Sequence, residues 1–180
     1  MKKIIITICL CSILSVSCEL LQKKGEETGC IEGDCVNGKG TYVWEDRSRY
    51  TGEFKDSKFH GKGLFTAPDG KVYNGEYKNG KRHGTGMFSF SDGRRYTGEF
   101  HENEMSGIGE LIYPDGRRYT GDMKNGKADG NGTLSWPDGT VYEGEFQNDV
   151  MQGNGKLTYS DGEVLEGKFI NGILLDEVKK

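Results

Sequence analysis

The chain has 180 residues, 33% of them hydrophobic, and a formal net charge of −4. Glycine accounts for 29 residues and proline for only 3, which excludes collagen and proline-rich linkers. Aromatic residues make up 11%, too many for a disordered chain, and the acidic balance argues against binding nucleic acid through its phosphates.

Residues 1–17 have the pattern of an export signal. Lys2 and Lys3 precede an apolar stretch over residues 4–16. That stretch is shorter than the roughly 20 residues that a helix needs to span a bilayer, and it has the length of a signal-peptide apolar region. We therefore interpret residues 1–17 as a signal peptide.

The end of this segment resembles a bacterial lipoprotein box. The resemblance implies that Cys18 carries lipid and becomes the mature N-terminus, although Ser15 stands where the pattern has Leu, and Leu14 lies one residue further back. Glu19, by resemblance to enteric bacteria, favours the outer membrane. We expect an exported, lipid-anchored protein of the bacterial outer membrane or periplasm. Ordinary cleavage near Ser17, which would release a secreted soluble protein, is the alternative.

The cysteines beyond the signal agree with export. Cys30 and Cys35 follow residues 18–28, which we interpret as a polar tether. Because exported compartments are oxidising, a disulfide between Cys30 and Cys35 is expected. A zinc site is the alternative, but two thiols without a nearby His or further Cys are a poor ligand set.

The remaining chain is a repeat of 23 residues. The same short sequence motif, YTGEF at residues 50–54, starts every 23 residues, at Tyr50, Tyr73, Tyr96, Tyr119, Tyr142 and Leu165. Five full repeats occupy residues 50–164, a degenerate first repeat residues 29–49, and a partial terminal repeat and tail residues 165–180. Nearly all glycines recur at fixed positions of the repeat, which indicates fixed backbone requirements and not a flexible linker.

Each repeat is expected to form β-hairpins. Asn-Gly pairs such as Asn79-Gly80 and Asp-Gly pairs such as Asp92-Gly93 separate alternating apolar and polar runs. These pairs favour type I′ turns, in which both central residues have positive φ. The sequence therefore predicts an all-β, elongated, single-layer antiparallel meander of about eleven to thirteen strands, with each repeat adding about 10 Å. Only the tail after Ile173 leaves room for a helix.

Alternation assigns side chains to the two faces of this sheet. In each first strand the tyrosine and the residue four positions later share a face, and the glycine between them is expected to leave room for an aromatic ring of the adjacent strand. An acidic column points the other way, at Glu53, Glu76, Glu99, Asp122 and Glu145. We expect these acids to pair with basic residues such as Arg95 and Arg118. Calcium binding is the alternative.

The aromatic face is the candidate binding face. A single-layer sheet has no second layer of its own to cover such a face, so the face is self-packed, covered by the tail, or occupied by a partner. The candidate residues are Tyr50, Tyr73, Tyr96, Tyr119, Tyr142, Phe88, Phe90, Tyr113, Trp136 and Tyr159.

Two further motifs could bind a metal or a phosphate, but both also fit structural turns. His60 and His83 occupy the same position in adjacent repeats, where they could bind a metal but also fit a structural turn. Residues 84–86 are similar to a phosphate-binding turn but precede no helix. We predict no metal, no cofactor and no catalytic residues.

Residues 73–86 carry a family resemblance. Their sequence, YNGEYKNGKRHGTG, is similar to the MORN repeat (membrane occupation and recognition nexus), and the resemblance covers about residues 37–172. It implies an elongated sheet that scaffolds, self-associates or docks partners. We expect a non-enzymatic scaffold or protein-binding module of the cell envelope that contacts the membrane through its lipid anchor and binds no nucleic acid. A phospholipid-contacting module, or a glycan-binding protein using the aromatic face, is the alternative.

Overall fold

The computed structural model describes residues 27–177. The signal peptide, Cys18, most of the tether and residues 178–180 lie outside this range. The described residues form fourteen strands: β1 Gly29–Gly33, β2 Lys39–Val43, β3 Arg49–Lys55, β4 Lys58–Thr66, β5 Val72–Lys78, β6 Lys81–Ser89, β7 Arg95–His101, β8 Glu104–Ile112, β9 Arg118–Lys124, β10 Lys127–Ser135, β11 Val141–Gln147, β12 Val150–Thr158, β13 Val164–Ile170 and β14 Ile173–Glu177.

All fourteen strands belong to one sheet, and their order in the sheet is their order in the chain. Each strand pairs antiparallel with the next, so the predicted meander is confirmed. The strand count exceeds the expected range because the degenerate first repeat forms the hairpin β1–β2 and the tail forms β14. The tail therefore continues the sheet as far as Glu177 and does not form the helix that the sequence left open there.

The turn within each repeat has the predicted left-handed backbone. Asn79 and Gly80 have φ values of 53° and 83°, as a type I′ turn requires. The Gly80 N–H also donates to the Phe59 carbonyl oxygen of the preceding repeat, at 2.9 Å. The same bond recurs at the other turns of this kind, so neighbouring hairpins are joined at their tips.

The Asp-Gly connections differ from the type I′ prediction, which is wrong for them. In the first of these turns Gly70 has a positive φ of 88°, whereas Asp69 is not left-handed. The Ala67 N–H donates to the Lys71 carbonyl oxygen at 2.9 Å and the Gly70 N–H to the Ala67 carbonyl oxygen at 3.0 Å. This is a three-residue loop closed by a left-handed glycine. Asp69 favours it because Oδ1 accepts the Lys71 N–H at 3.1 Å.

The tyrosine column fills the space above the paired glycines. Tyr50 is fully buried, and a Cβ added at Gly52 would lie 2.6 Å from the Tyr50 hydroxyl. Gly63, which pairs with Gly52 across β3 and β4, would likewise meet the Tyr50 ring. Gly52 therefore makes room for the tyrosine of its own strand and not, as expected, for an aromatic ring of the adjacent strand, whereas Gly63 makes room for Tyr50 of the paired strand β3.

A zipper of edge-to-face rings runs along this face from Tyr50 to Phe100 and again from Tyr119 to Phe169. The Tyr73 ring packs edge-on against Tyr77 of its own strand and against Phe100 of the next repeat, with both centroid distances 5.0 Å. Edge-to-face packing of this kind is favourable between aromatic rings. The residue corresponding to Phe100 in the next repeat is Met123, where the run of rings is interrupted. In the first full repeat Phe59 stacks on Tyr50 at 3.9 Å.

A disulfide closes the first hairpin. Cys30 of β1 is bonded to Cys35 in the following turn, with a Cα–Cα distance of 6.0 Å. The pairing of β1 with β2 shifts register between Cys30 and Glu32. A short, bulged and crosslinked strand is a poor template for another chain, so this edge of the sheet is protected.

Candidate functional site

The structure separates the candidate binding face into buried and partly exposed residues. The five tyrosines of the column are between 0% and 2% exposed: Tyr50, Tyr73, Tyr96, Tyr119 and Tyr142. Each hydroxyl donates to the backbone carbonyl oxygen of the acidic residue three positions later, as in Tyr73 to Glu76 at 3.0 Å. These tyrosines are core residues that no partner can reach, which corrects the expectation that they form part of a binding face.

Because the tyrosines are buried, the stability of the folded protein is expected to decrease at alkaline pH. Desolvation raises the pKa of the Tyr50, Tyr73 and Tyr96 hydroxyls to about 12, whereas a tyrosine in an unfolded chain ionises near pH 10. The unfolded chain therefore releases protons that the folded protein keeps. We expect the contribution of these tyrosines to stability to be constant below about pH 10 and to fall as the pH rises from about 10 to 12.

Urea unfolding midpoints across this range test the expectation. Tyr96→Phe removes one of these hydroxyls and should show a smaller alkaline loss than the unmodified protein. A midpoint that stays constant up to about pH 12 would contradict the burial of the column.

The other candidate residues remain partly exposed. We define the aromatic row as Phe90, Tyr113, Trp136 and Tyr159, which begin the Asp-Gly turns of four successive repeats. The rings of Phe90, Tyr113 and Trp136 are partly buried and pack against the core, whereas Tyr159 is 37% exposed. Phe88, the remaining candidate, lies beneath the row with its ring 4.4 Å from that of Phe90.

Trp44 holds the corresponding position in the first repeat, and Ala67 in the second. Trp44 was not predicted as a site residue, although the 23-residue spacing places it in the same column. Its ring packs against Phe59 at 5.7 Å and against Phe65 at 5.9 Å. Because Ala67 interrupts the column, the four successive rings of the aromatic row form the longest unbroken stretch.

Arginine side chains cover two ring faces of the row. The Arg94 guanidinium lies 4.5 Å from the Phe90 centroid, and the Arg117 guanidinium lies 4.8 Å from the Tyr113 centroid. Each arginine is held by the aspartate of its turn, Asp92 or Asp115, through a 2.8 Å Nε–Oδ2 contact. These cation–π contacts cover one face of each of these two rings.

Arg82 also contacts the aromatic face, and it was not predicted from the sequence. Its guanidinium lies 4.5 Å from the Phe88 centroid and within 5.7 Å of the Tyr73 and Phe100 centroids. Its Nη2 donates to the Asn103 carbonyl oxygen at 2.8 Å, and burial lowers the pKa of the guanidinium. Arg82 lies at the tip of a hairpin, and nothing in the sequence pattern there predicts its contact with three rings.

The carboxylates of the acidic column accept hydrogen bonds from residues at a bulge in each hairpin. The second strand carries extra residues around a left-handed glycine such as Gly84, with φ 60°. Glu76 Oε1 accepts the Thr85 hydroxyl at 3.0 Å, and Glu145 Oε1 accepts the Asn154 N–H at 2.8 Å. A carboxylate here caps an amide that the bulge leaves without a strand partner.

Ion pairing of the acidic column with Arg118 was a wrong expectation. Arg118 Nη1 instead contacts Glu110 Oε1 at 2.8 Å. Strand alternation correctly places the acids on the face opposite the tyrosines, but it gives no information about the bulge that draws their carboxylates toward the backbone.

The histidines do not assemble into a metal centre in residues 27–177. His60 Nδ1 is buried without a hydrogen-bond partner there, and the His83 ring lies 5.3 Å from the ring of His101. Within the same range no three His, Cys, Asp or Glu side chains are arranged to hold a metal. That part of the chain also has no helix of the length and hydrophobicity that a membrane crossing requires.

The face opposite the tyrosines is open and mixed in character. Met87 is 57% exposed there, beside a shallow groove of about 450 Å³ that Lys62, Glu76 and Thr97 also line. Met87 pairs with Asn74 and Thr97 across the neighbouring strands. This face provides an exposed apolar side chain that is remote from the aromatic row, which is useful as a control.

Comparison with known families and structures agrees with this architecture. The family model described as MORN repeat matches residues 37–49, 50–72, 73–94, 96–117, 119–141 and 142–164. A search of curated proteins finds no match.

Two Drosophila melanogaster structures match the chain. One is the SAS-4 (dCPAP) TCP domain in complex with a proline-rich motif of Ana2 (dSTIL), with 12% identity, a TM-score of 0.50, and 90% of this chain and 86% of that chain covered. The other is the TCP10c domain of Sas-4, with 13% identity, a TM-score of 0.46, and 77% and 84% covered. At these identities the likeness concerns the fold alone.

Proposed function

Because the chain belongs to the MORN repeat family, whose arrays are protein-binding or membrane-associated modules, we propose that it is a non-enzymatic docking module of the cell envelope. Residues 1–17 export it, a lipid on Cys18 anchors it, and the aromatic row takes a protein partner. The observation that carries this proposal is the row itself, because rings from four successive repeats remain partly exposed along one side of the sheet.

The sheet suits docking because it is already rigid. The tyrosine column and its ring zipper fill the core, and tip bonds such as Gly80 N–H to the Phe59 carbonyl oxygen join neighbouring hairpins. The row is therefore positioned before a partner arrives, which lowers the entropy cost of binding. Exposed aromatic side chains in such a setting are typical anchors of protein interfaces.

Two further observations support parts of the proposal. A disulfide such as Cys30–Cys35 persists in oxidising, exported compartments, in agreement with the signal-like residues 1–17. The similar SAS-4 TCP domain is in complex with a proline-rich motif of another protein, which supports peptide docking as a use of an open sheet of this kind.

Crosslinking in the native membrane tests the docking function. The full-length protein is expected to crosslink to one or a few specific envelope proteins. Tyr159→Ala and Trp136→Ala should lose those crosslinks, because truncating an interface aromatic commonly costs 2 kcal/mol or more, that is about 30-fold in affinity. Met87→Ala, on the opposite face, should keep them. Crosslinks that are unchanged in both row variants would contradict the proposal.

Detergent partitioning tests the anchor. One acyl chain binds a membrane only marginally, at about 0.8 kcal/mol per buried CH₂, so stable anchoring needs the several chains of a lipoprotein cysteine. The unmodified protein is expected in the detergent phase despite its polar composition. Cys18→Ala should give an uncleaved precursor or a species in the aqueous phase. Equal partitioning of a cleaved Cys18→Ala protein would remove the anchor.

Direct phospholipid contact is a second candidate, favoured by facing lysine pairs at the hairpin tips. Lys55 faces Lys58, and Lys124 faces Lys127. Like charges in facing positions are unfavourable within a sheet but would attract anionic headgroups. Binding of a lipid-free chain starting at Glu19 to anionic vesicles would support this candidate, whereas the net negative charge of the protein weighs against it.

A further inference from the structure

The spacing of the aromatic row follows from the strand order. Each repeat contributes two consecutive strands to the sheet, and neighbouring strands lie about 4.8 Å apart. Successive residues of the row therefore recur about every 9.6 Å, and the three intervals from Phe90 to Tyr159 span about 29 Å.

This spacing discriminates between peptide conformations. A polyproline II helix has three residues per turn and rises about 3.1 Å per residue, which places every third side chain about 9.3 Å apart on one face. An α-helix places positions seven residues apart at about 10.5 Å. In an extended strand, same-face residues lie about 6.7 Å apart. Only the polyproline II repeat stays in register with all four rings.

The exposed surface of the rings also suits proline. The Arg94 and Arg117 guanidinium groups lie against the faces of Phe90 and Tyr113, so the C–H face of a sugar ring cannot stack on those two faces. Surfaces lined with aromatic rings are the usual sites for proline-rich segments. The turns of Trp136 and Tyr159 have Thr140 and Glu163 in place of these arginines, so a glycan has at most those two rings to stack on and is the less suitable occupant of the whole row.

Charge along the row is asymmetric. In the turns of Phe90 and Tyr113, arginines neutralise Asp92 and Asp115. The corresponding positions after Trp136 and Tyr159 are Thr140 and Glu163, and these turns also contain Asp138 and Asp161. The end of the row near Tyr159 is therefore acidic and complements a basic group.

We propose that the aromatic row binds a proline-rich segment in the polyproline II conformation, lying across the strands from Phe90 to Tyr159, with a basic residue of that segment at the acidic Tyr159 end. This inference rests on the proposed docking function and names the chemical class of its partner.

Fluorescence anisotropy with synthetic peptides tests the proposal. The probes are decaproline, decaproline with an arginine added at either end, and a glycine-serine peptide of the same length with the same arginine. Ten prolines in this conformation span about 31 Å, enough to cover the row. We expect saturable binding of decaproline to the full-length protein, tighter binding of an arginine-bearing form, and no saturable binding of the glycine-serine peptide. Equal binding of all probes, or none, would overturn the proposal.

Variants locate the binding on the row. Tyr159→Ala, at the most exposed ring, and Trp136→Ala should each weaken decaproline binding by about tenfold or more, whereas Met87→Ala on the opposite face should leave it unchanged. Glu163→Gln should reduce the preference for the arginine-bearing peptide while leaving plain decaproline unaffected, a result that misfolding cannot imitate. Weakening by Met87→Ala but not by the row variants would overturn the proposal, as would displacement of the peptide by an oligosaccharide.

The outcomes separate this inference from the proposed function. If the row variants lose their native crosslinks while decaproline does not bind, the docking function stands and the polyproline II partner is wrong. If decaproline binds through the row but the native crosslinks are unchanged in the row variants, the site exists and the proposed docking function is wrong.

Discussion

Gly98→Val is expected to destabilise the protein by more than about 3 kcal/mol, because the added side chain enters space that is already filled. A Cβ at Gly98 would lie 2.6 Å from the Gly109 Cα and would also meet the Tyr96 hydroxyl. The first of these atoms is backbone in the paired strand β8, and the second belongs to a residue that is 1% exposed. Neither can move without breaking the pairing of β7 with β8.

Thr97→Val is the matched control. It places the same valine side chain one residue earlier in β7, on the opposite, exposed face, where it should change stability by less than about 0.5 kcal/mol. Urea unfolding followed by circular dichroism measures both variants. Similar unfolding midpoints for the two variants would show that the face assignment of the glycine column is wrong.

Tyr73→Ala is expected to cost about 3–5 kcal/mol, the range for removing a buried aromatic side chain. The Tyr73 ring lies over Gly75 and Gly86, each of which has its Cβ position 2.5 Å from the Tyr73 hydroxyl. It also packs against Tyr77 and Phe100. Its loss therefore empties a space that two glycines cannot fill and disconnects two neighbouring repeats.

Tyr73→Phe separates the ring from the hydroxyl. It keeps the packing and removes only the hydrogen bond to the Glu76 carbonyl oxygen, which should cost about 1 kcal/mol. Thermal unfolding of the two variants gives the comparison. Equal losses in both would mean that the hydrogen bond, and not the ring, holds the column in place.

The repeat period and the turn residues made most of the fold predictable from sequence. Asn79-Gly80 specifies a left-handed turn because few other pairs accept positive φ at both positions. Asp69-Gly70 has a similar composition but forms a different loop, because the Asp69 side chain accepts a backbone N–H two residues on. That competing local hydrogen bond is the physical reason for the error.

The candidate site was less predictable because alternation assigns a side chain to a face but does not say what covers it. Tyr50 and Tyr159 both belong to the aromatic face by this criterion. Tyr50 is covered by Phe59 and Phe54, which fold over it from the same hairpin, whereas Tyr159 is 37% exposed. Tyr50 lies inside β3, where Gly52 and Gly63 leave room for its ring, whereas Tyr159 lies at the turn that follows β12.

Strictly sequential strand order also bears on how such a chain folds and how it can change in length. Every strand from β1 to β14 finds its partner in the next strand of the chain, and even the tip bond from Gly80 to Phe59 joins residues within one period of each other. The entropy of loop closure depends on the length of chain enclosed, and here that length is the same for every unit. Duplicating a unit therefore lengthens the array without adding contacts between residues that are distant in sequence. The sequence separation between a hairpin and its neighbour is then the same in a long array as in a short one.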